Sequence, residues 1–441
     1  MTHVCRSWRN VLVSTPSLWV HIDFTTTSKQ AKSFLRRSRD QPLDIYTFLV
    51  NKDRVEPFLS TTLRNIHRVR RLGIFSTLPH LKGMLTQFTE LAPKLEHLNI
   101  ANDPIMNRRG IELYDGIFGG RLPKLTSLSL HCLRTNLRAF HFPSLTRFDL
   151  VMKTHISVQD LALFLEGCPL LEFIQISLSY SSQPPVAPPR ERVRLAALKE
   201  LRFDQTASTS GLLDHLILLK CTELRLTGRF TGKILSQCGD PAARIHPSSI
   251  DHISVARGIT KATAMPNSCI LSGPNGNLRF YSFERIPGET FDAGFFTLFP
   301  ISILEVRELW VGQSARGSPW DQTTTGVCSA FRVLKKVEDL TIVNCETEPF
   351  FAALGAPADV GVLLPGLRRL TIHVGRGDLD PSALVRCAKA RKGCFQPLGE
   401  VTVVFEEEPG AGFIEEARSL RDLVAQLTYH VGDTPKLDRE H

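Results

Sequence analysis

The nearest approach to a chemical motif in this 441-residue sequence is GRFTGK at 228–233. A phosphate-binding loop needs glycines spaced so that backbone N–H groups wrap a phosphate, a lysine for charge, and a hydroxyl that follows it to hold magnesium. Here the glycine spacing is one residue short and Ile234 stands in the place of the hydroxyl, so an ordinary turn is expected. His131-Cys132 and the pair Cys387/Cys394 lack the spacing that lets side chains converge on a metal. Glu406-Glu407-Glu408 reads as a solvated acidic turn. No G-x-S-x-G elbow, H-E-x-x-H helix or EF-hand loop occurs. The expectation is a non-enzymatic protein with no catalytic residue, no metal site and no cofactor.

Composition narrows the classes further. Hydrophobic residues make up 42% and charged residues 22%, enough apolar surface for a large core and too much for global disorder. The formal net charge of +9 is dispersed through short clusters such as Arg36-Arg37, Arg70-Arg71 and Arg190/Arg192/Arg194. A nucleic-acid surface would concentrate that charge on one face among aromatics, so nucleic acid is not an expected partner. The 10 cysteines are scattered without C-x-x-C spacing, and no N-x-S/T sequon occurs. MTHVCRSWRN lacks a signal-peptide core, and no apolar run reaches membrane-spanning length. An intracellular, reducing compartment is expected, cytoplasm and nucleus being equally compatible, with no membrane partner.

The elements that would position any site follow a repeat. The pattern apolar-x-x-apolar-x-apolar reads LPKLTSLSL at 122–130, FPSLTRFDL at 142–150, CPLLEFIQI at 168–176 and LPGLRRLTI at 364–372. Its first positions fall at Leu43, Val69, Leu95, Leu125, Leu145, Leu171, Leu198, Cys221, Ile250, Leu278, Val306, Val337, Leu367 and Leu398. The mean spacing is about 27 residues, inside the leucine-rich range. Proline stands two residues before the motif at Pro93, Pro123, Pro143, Pro169 and Pro365. The copies at Ile250 and Leu278 match least well. Fourth and sixth positions share one face of a short strand. Such strands, each too small to fold alone, would stack and pool one apolar ridge.

Between strands, SVQDLALFLEGCP predicts a helix with Ser157 as N-cap, Gly167 as stop and Pro169 beyond. Leu81, Met84, Leu85, Phe88 and Leu91 predict another, and Leu212, Leu216 and Leu219 a third. Phe413, Ala417, Leu420, Val424 and Leu427 form a stripe expected to cap the array, followed by a polar tail. The segments 181–190 and 258–277 are expected to be surface loops.

The other face of the strands carries motif positions three, five and seven. In this register it holds five arginines, no lysine and eight acids. Such a face suits a mixed protein epitope rather than a phosphate backbone. The candidate partner-binding residues are Arg147, Phe173, Arg202, Arg225, Trp310 and Arg369.

Residues 4–24, VCRSWRNVLVSTPSLWVHIDF, resemble the C-terminal half of an F-box, and are particularly similar to fungal F-box proteins with divergent leucine-rich repeats. The matching residues are Val4, Cys5, Trp8, Arg9, Ser14-Thr15-Pro16, Leu18-Trp19 and Ile22; PLDIYTF at 42–48 also fits these proteins. The resemblance implies a substrate-recognition subunit of an SCF cullin–RING ubiquitin ligase. It implies docking on the small adaptor subunit and its cullin through Val4, Cys5, Trp8, Leu12, Leu18 and Trp19, and an unknown protein substrate on the repeats. The Leu-Pro start and apolar helix that open an F-box have no counterpart before Val4. The expectation therefore divides between an F-box protein truncated at its start and one that has lost ligase docking. The alternative function is a non-catalytic repeat scaffold for protein–protein interaction. The fold expected is α/β, a leucine-rich-repeat-like solenoid of about 14 irregular strand–helix units after a short partial F-box helical segment. Its parts would be a partial F-box at 1–27, the solenoid at 28–412, and a capping helix and tail at 413–441.

Overall fold

In the computed structural model of the chain, the described residues are 5–24, 28–49, 52–77, 81–102, 111–113, 116–152, 156–178, 192–204, 212–213, 215–228, 252–265, 268–282, 305–312, 324–356, 362–375, 379–433 and 435. The chain forms two compact units, Met1–Lys220 and Cys221–His441. Both are α/β, with extensive β-sheet.

The first unit contains β1 (His21–Asp23), β2 (Leu43–Leu49), β3 (Val69–Ser76), β4 (His97–Asn102), β5 (Ile111–Glu112), β6 (Ser127–His131), β7 (Leu133–Arg134), β8 (Arg147–Met152), β9 (Phe173–Leu178), β10 (Val193–Arg194), β11 (Glu200–Asp204) and β12 (Leu216–Ile217). Its helices are α1 (Arg6–Ser14), α2 (Ser28–Ser38), α3 (Val55–Arg64), α4 (Leu81–Leu85) and α5 (Val158–Glu166). Eight strands pair in chain order, β1-β2-β3-β4-β6-β8-β9-β11, and every pairing is parallel. Two further parallel pairs, β5–β7 and β10–β12, are separate.

Local chemistry explains the repeated entry into each strand. Ala92-Pro93-Lys94-Leu95 closes with a bond from the Leu95 N–H to the Ala92 oxygen, and Leu125, Leu145, Leu171 and Leu367 repeat it onto Leu122, Phe142, Cys168 and Leu364. Proline is favoured at the second position of such a turn because its ring presets φ. The leucine that ends the turn is buried each time. Pairing then stacks like on like. Leu98, Leu128, Phe148, Ile174 and Leu201 form one column, and Ile100, Leu130, Leu150, Ile176 and Phe203 the next. All ten are buried, each worth about 1.5–3 kcal/mol. Behind the strands, Phe24, Phe58, Phe88 and Phe118 meet ring to ring at 5.4, 6.4 and 5.4 Å.

The second unit contains β13 (Glu223–Gly228), β14 (Lys261–Met265), β15 (Ser268–Gly273), β16 (Gly276–Ser282), β17 (Glu308–Gly312), β18 (Asp339–Val343), β19 (Arg369–Val374), β20 (Glu400–Phe405) and β21 (Gln426–Val431). Its helices are α6 (Thr324–Val333), α7 (Glu348–Leu354), α8 (Pro381–Gly393) and α9 (Ala411–Arg421). The order is β13-β16-β15-β14-β17-β18-β19-β20-β21, with β14–β15 and β15–β16 antiparallel and the rest parallel.

Several expectations are corrected. The stretch 258–277 is not a surface loop: it carries β14, β15 and the start of β16. Gly273 pairs with Gly276 across the two-residue turn Pro274-Asn275. A Cβ at Gly276, whose φ is +124°, would lie 2.0 Å from the Thr222 oxygen, so only glycine fits. Leu278 pairs with Leu224 and so takes the fourth motif position, not the first. Ile250 lies outside the described residues. At the first copy a register shift between Leu43 and Asp44 pairs Ile45 with Leu72, so Ile45 and Thr47 face the core while Tyr46 and Phe48 are exposed.

Helix α5 matches its expected span, with Ser157 and Gly167 at its ends. Helix α4 is only five residues long, and Leu91 beyond it is 59% exposed. Leu216 lies in β12 and Leu219 is exposed, so no helix joins them. The C-terminal stripe is divided. Phe413, Ala417 and Leu420 lie on α9, but Leu427 belongs to a further strand, β21. The segment 181–190 lies outside the described residues.

Candidate interaction surfaces

The N-terminal segment is built from short-range contacts. Cys5 caps α1, its sulfur accepting the Trp8 N–H at 3.4 Å. Thr15 Oγ1 donates back to the Val11 oxygen at 2.7 Å, and Pro16 opens a 3₁₀ turn, Pro16–Trp19. No residue of α1 is buried. Trp8 is 61% exposed, Val11 52% and Leu18 53%. Trp8 and Val11 lie three apart on one helical face. Trp19 behaves differently. Its Nε1 donates to the Leu12 oxygen at 2.7 Å, its ring meets Phe34 of α2 edge-on at 5.0 Å, and the Arg37 guanidinium sits 4.4 Å above it. Of the six residues expected to dock an adaptor, Cys5, Trp8 and Leu18 are therefore exposed, and Leu12 and Trp19 are half-buried. Val4 lies outside the described residues.

On the first unit's ladder, the side chains between the buried columns form a second surface. Arg147 begins β8, Phe173 begins β9 directly beside it, and Arg202 lies on β11, the next strand. Both guanidiniums stack on the Phe173 ring, at 3.9 and 5.1 Å from its centre. Glu200 pairs with Arg202. No carboxylate lies within ion-pair distance of Arg147 among the described residues. One strand back, His131 Nε2 lies 2.9 Å from Asp149 Oδ2 and 3.0 Å from Ser129 Oγ. Hydrolytic triads place serine and carboxylate on opposite ring nitrogens. Here both address Nε2, so the relay geometry is absent from this cluster.

In the second unit several charged residues between the columns are paired with one another. Glu223 Oε1 lies 3.0 Å from Arg225 Nε and 2.7 Å from Arg279 Nε. Lys261 Nζ lies 3.1 Å from Glu308 and 4.3 Å above the Trp310 ring, whose Nε1 also donates to Glu308. Arg369 forms a two-pronged bond with Asp339 of the adjacent strand, which raises the arginine pKa. Arg225 is separated from the strand of Trp310 by β16, β15 and β14. So Arg147, Phe173 and Arg202 converge and Arg225 stands apart from Trp310 and Arg369, whereas Glu308, the partner of Trp310, lies in one cross-strand row with Asp339 and Arg369.

Sequence reasoning missed four exposed aromatics: Tyr46, Phe48 and Phe75 on the first unit's strands, and Phe395 just after α8. Phe48 pairs with Phe75, and Tyr46 lies over Gly73, where a Cβ would come within 2.5 Å of the tyrosine ring. The alternation in LDIYTFL holds the signal, but the bulge at Leu43/Asp44 reverses which residues face out. Asp44 itself is fully buried, held by Arg70 at 3.0 and 2.9 Å.

Among the described residues no cluster of three or more His, Cys, Asp or Glu is placed to hold a metal, and no helix is long and apolar enough to cross a membrane. Compared with known proteins, the chain matches no protein-family model and no curated protein sequence.

Proposed function

We propose that this protein is the F-box-type substrate-recognition subunit of an SCF cullin–RING ubiquitin ligase. In this reading it is intracellular and non-enzymatic, and a leucine-rich-repeat-like solenoid presents its open strand face to a protein target. The ligase supplies the chemistry and this subunit supplies proximity. The observation that carries the reading is the exposure of Trp8, Val11 and Leu18 on a segment none of whose α1 residues is buried. Large apolar side chains left in water on a short helix are what an interface anchor requires. Support for the target face comes from Phe173, an aromatic flanked by Arg147 and Arg202. The paired charges around Glu223, Glu308 and Asp339 argue for a protein target over nucleic acid.

Affinity capture with the small adaptor subunit and cullin tests this. The full chain is expected to retain both, and Trp8→Ala with Leu18→Asp to lose them while Phe173→Ala keeps them. Failure of the unaltered chain to bind, also when a Leu-Pro-containing F-box half is fused ahead of it, defeats the ligase reading.

A second reading, a repeat scaffold without ligase coupling, is favoured by one observation. Trp19 and Leu12 are spent on each other and on α2, as expected of a segment that merely seals the first strands. It predicts protein partners but no adaptor.

A further inference from the structure

We propose that β21 is a self-association edge, through which two copies of this chain pair antiparallel about a two-fold axis centred on Tyr429. The inference does not depend on the ligase reading. Among the described residues β21 pairs only with β20, in continuous parallel register from Glu400↔Gln426 to Phe405↔Val431. The Gln426 and Gly432 N–H groups donate to the Gly399 and Phe405 oxygens, both at 2.9 Å. Backbone groups alternate direction along a strand, so Thr428 and His430 also point to β20. Leu427, Tyr429 and Val431 therefore direct N–H and C=O outward, where nothing on the adjoining strand meets them.

Edge strands are ordinarily blunted by lysine, proline, bulges or shortness. The outer strand β1 of the other unit is three residues long and carries Asp23. By contrast, β21 is six residues, QLTYHV, with no bulge, no proline and no Asp, Glu, Lys or Arg. Its geometry is also self-complementary. In the register where Tyr429 meets Tyr429 of a second copy, Leu427 meets Val431 and Val431 meets Leu427. All three are then hydrogen-bonded pairs, each exchanging two N–H···O bonds. Thr428 faces His430, so the histidines never oppose each other.

Side chains follow the same symmetry. Tyr429 leans toward α9, its ring 5.4 Å from that of Phe413, and by alternation Leu427 and Val431 share its side. The apolar residues thus pair with apolar residues, among them Val431, which is 53% exposed. A two-fold interface is necessarily made of one patch meeting itself, and this edge meets that condition.

Sedimentation velocity and light scattering of the full chain over a concentration series test the proposal. A reversible dimer is expected. Val431→Pro removes an outward N–H that β20 does not use, and Val431→Lys sets a charge against Leu427 of the second copy. Each is expected to weaken the dimer roughly tenfold or more, with the unaltered chain's circular dichroism retained. If Val431→Pro fails to fold, Val431→Lys decides. The double variant T428C/H430C is expected to crosslink copies between positions 428 and 430, seen by peptide mass mapping. A monomer at every concentration, or a dimer that both Val431 variants leave unchanged, overturns the proposal.

Discussion

Trp19 donates its indole N–H to the backbone oxygen of Leu12, 2.7 Å away, and so ties the end of the 3₁₀ turn to the helix that precedes it. Its ring rests against Phe34 and beneath Arg37, so one side chain joins α1, the turn and α2. The two N-terminal tryptophans therefore have opposite roles, one inward and one outward.

Replacing Trp19 by alanine removes a hydrogen bond, an edge-on aromatic contact and a cation–π contact together. A loss of about 2–3 kcal/mol is expected. Trp8→Ala, at a residue 61% exposed, is expected to change stability by less than about 0.5 kcal/mol. Urea unfolding followed by circular dichroism compares the two. Equal effects would contradict this division of labour.

Arg391 is 1% exposed, and its two terminal nitrogens donate to the Leu363 and Leu364 oxygens at 2.9 and 3.1 Å. It thereby fastens α8 to the Leu364-Pro365-Gly366-Leu367 turn that leads into β19. Burial holds its pKa below the usual arginine value. Arg391→Ala takes the guanidinium donor from the Leu363 carbonyl, leaves the Leu364 carbonyl only its bond from the Leu367 N–H, and opens a cavity, with an expected cost of about 2–4 kcal/mol. Lysine cannot reproduce the fork, so Arg391→Lys is expected to recover less than half of that loss. Shifts in the urea midpoint give both values.

Thiol reactivity should follow burial. Burial pushes Cys168, Cys269 and Cys387 up to about 12, so their thiolates are scarce at neutral pH. Cys5 is exposed at the start of α1. Under mildly alkaline native conditions, iodoacetamide is expected to modify Cys5 well before those three. Peptide mapping with time reads the order, and early labelling of Cys387 would show that α8 opens readily.

Stability should fall on mild acidification. Burial lowers the pKa of His97, with Arg71 adding to the effect, and burial and then His430 lower that of His373. The folded protein thus binds these protons less tightly than the unfolded chain does. Their contribution is fully present above the unfolded histidine value of about 6.5 and is lost as pH falls through the lower folded values. Urea midpoints are expected to drop between neutral and mildly acidic pH, and the drop to shrink in H97Q/H373Q.

Much of the fold is legible because it depends on near neighbours in sequence. Proline two residues before Leu95, Leu125, Leu145, Leu171 and Leu367 marks a turn that the backbone closes within four residues. Alternation after each turn identifies the buried columns, and the pattern from Ser157 to Gly167 delimits α5. Exposure of Trp8 and Leu18 is not legible, since an amphipathic pattern looks alike whether its apolar face is covered or bare. Nor is the side-chain cluster on the strand face. Arg147, Phe173 and Arg202 meet because β8, β9 and β11 are adjacent, whereas equally suggestive Arg225, Trp310 and Arg369 are held by carboxylates of their own or neighbouring strands.

What the amino-acid order determines alone is thus the period, the turns and the identity of the core leucines. Tertiary structure decides register and partnership: the bulge that turns Tyr46 and Phe48 outward, the hairpin that moves Leu278 to a different motif position, and the strand that follows α9. The reason is physical. A turn or helix is secured by bonds between residues a few positions apart, whereas a strand is completed only by the backbone of another segment, and a shift of one residue there reverses every side chain.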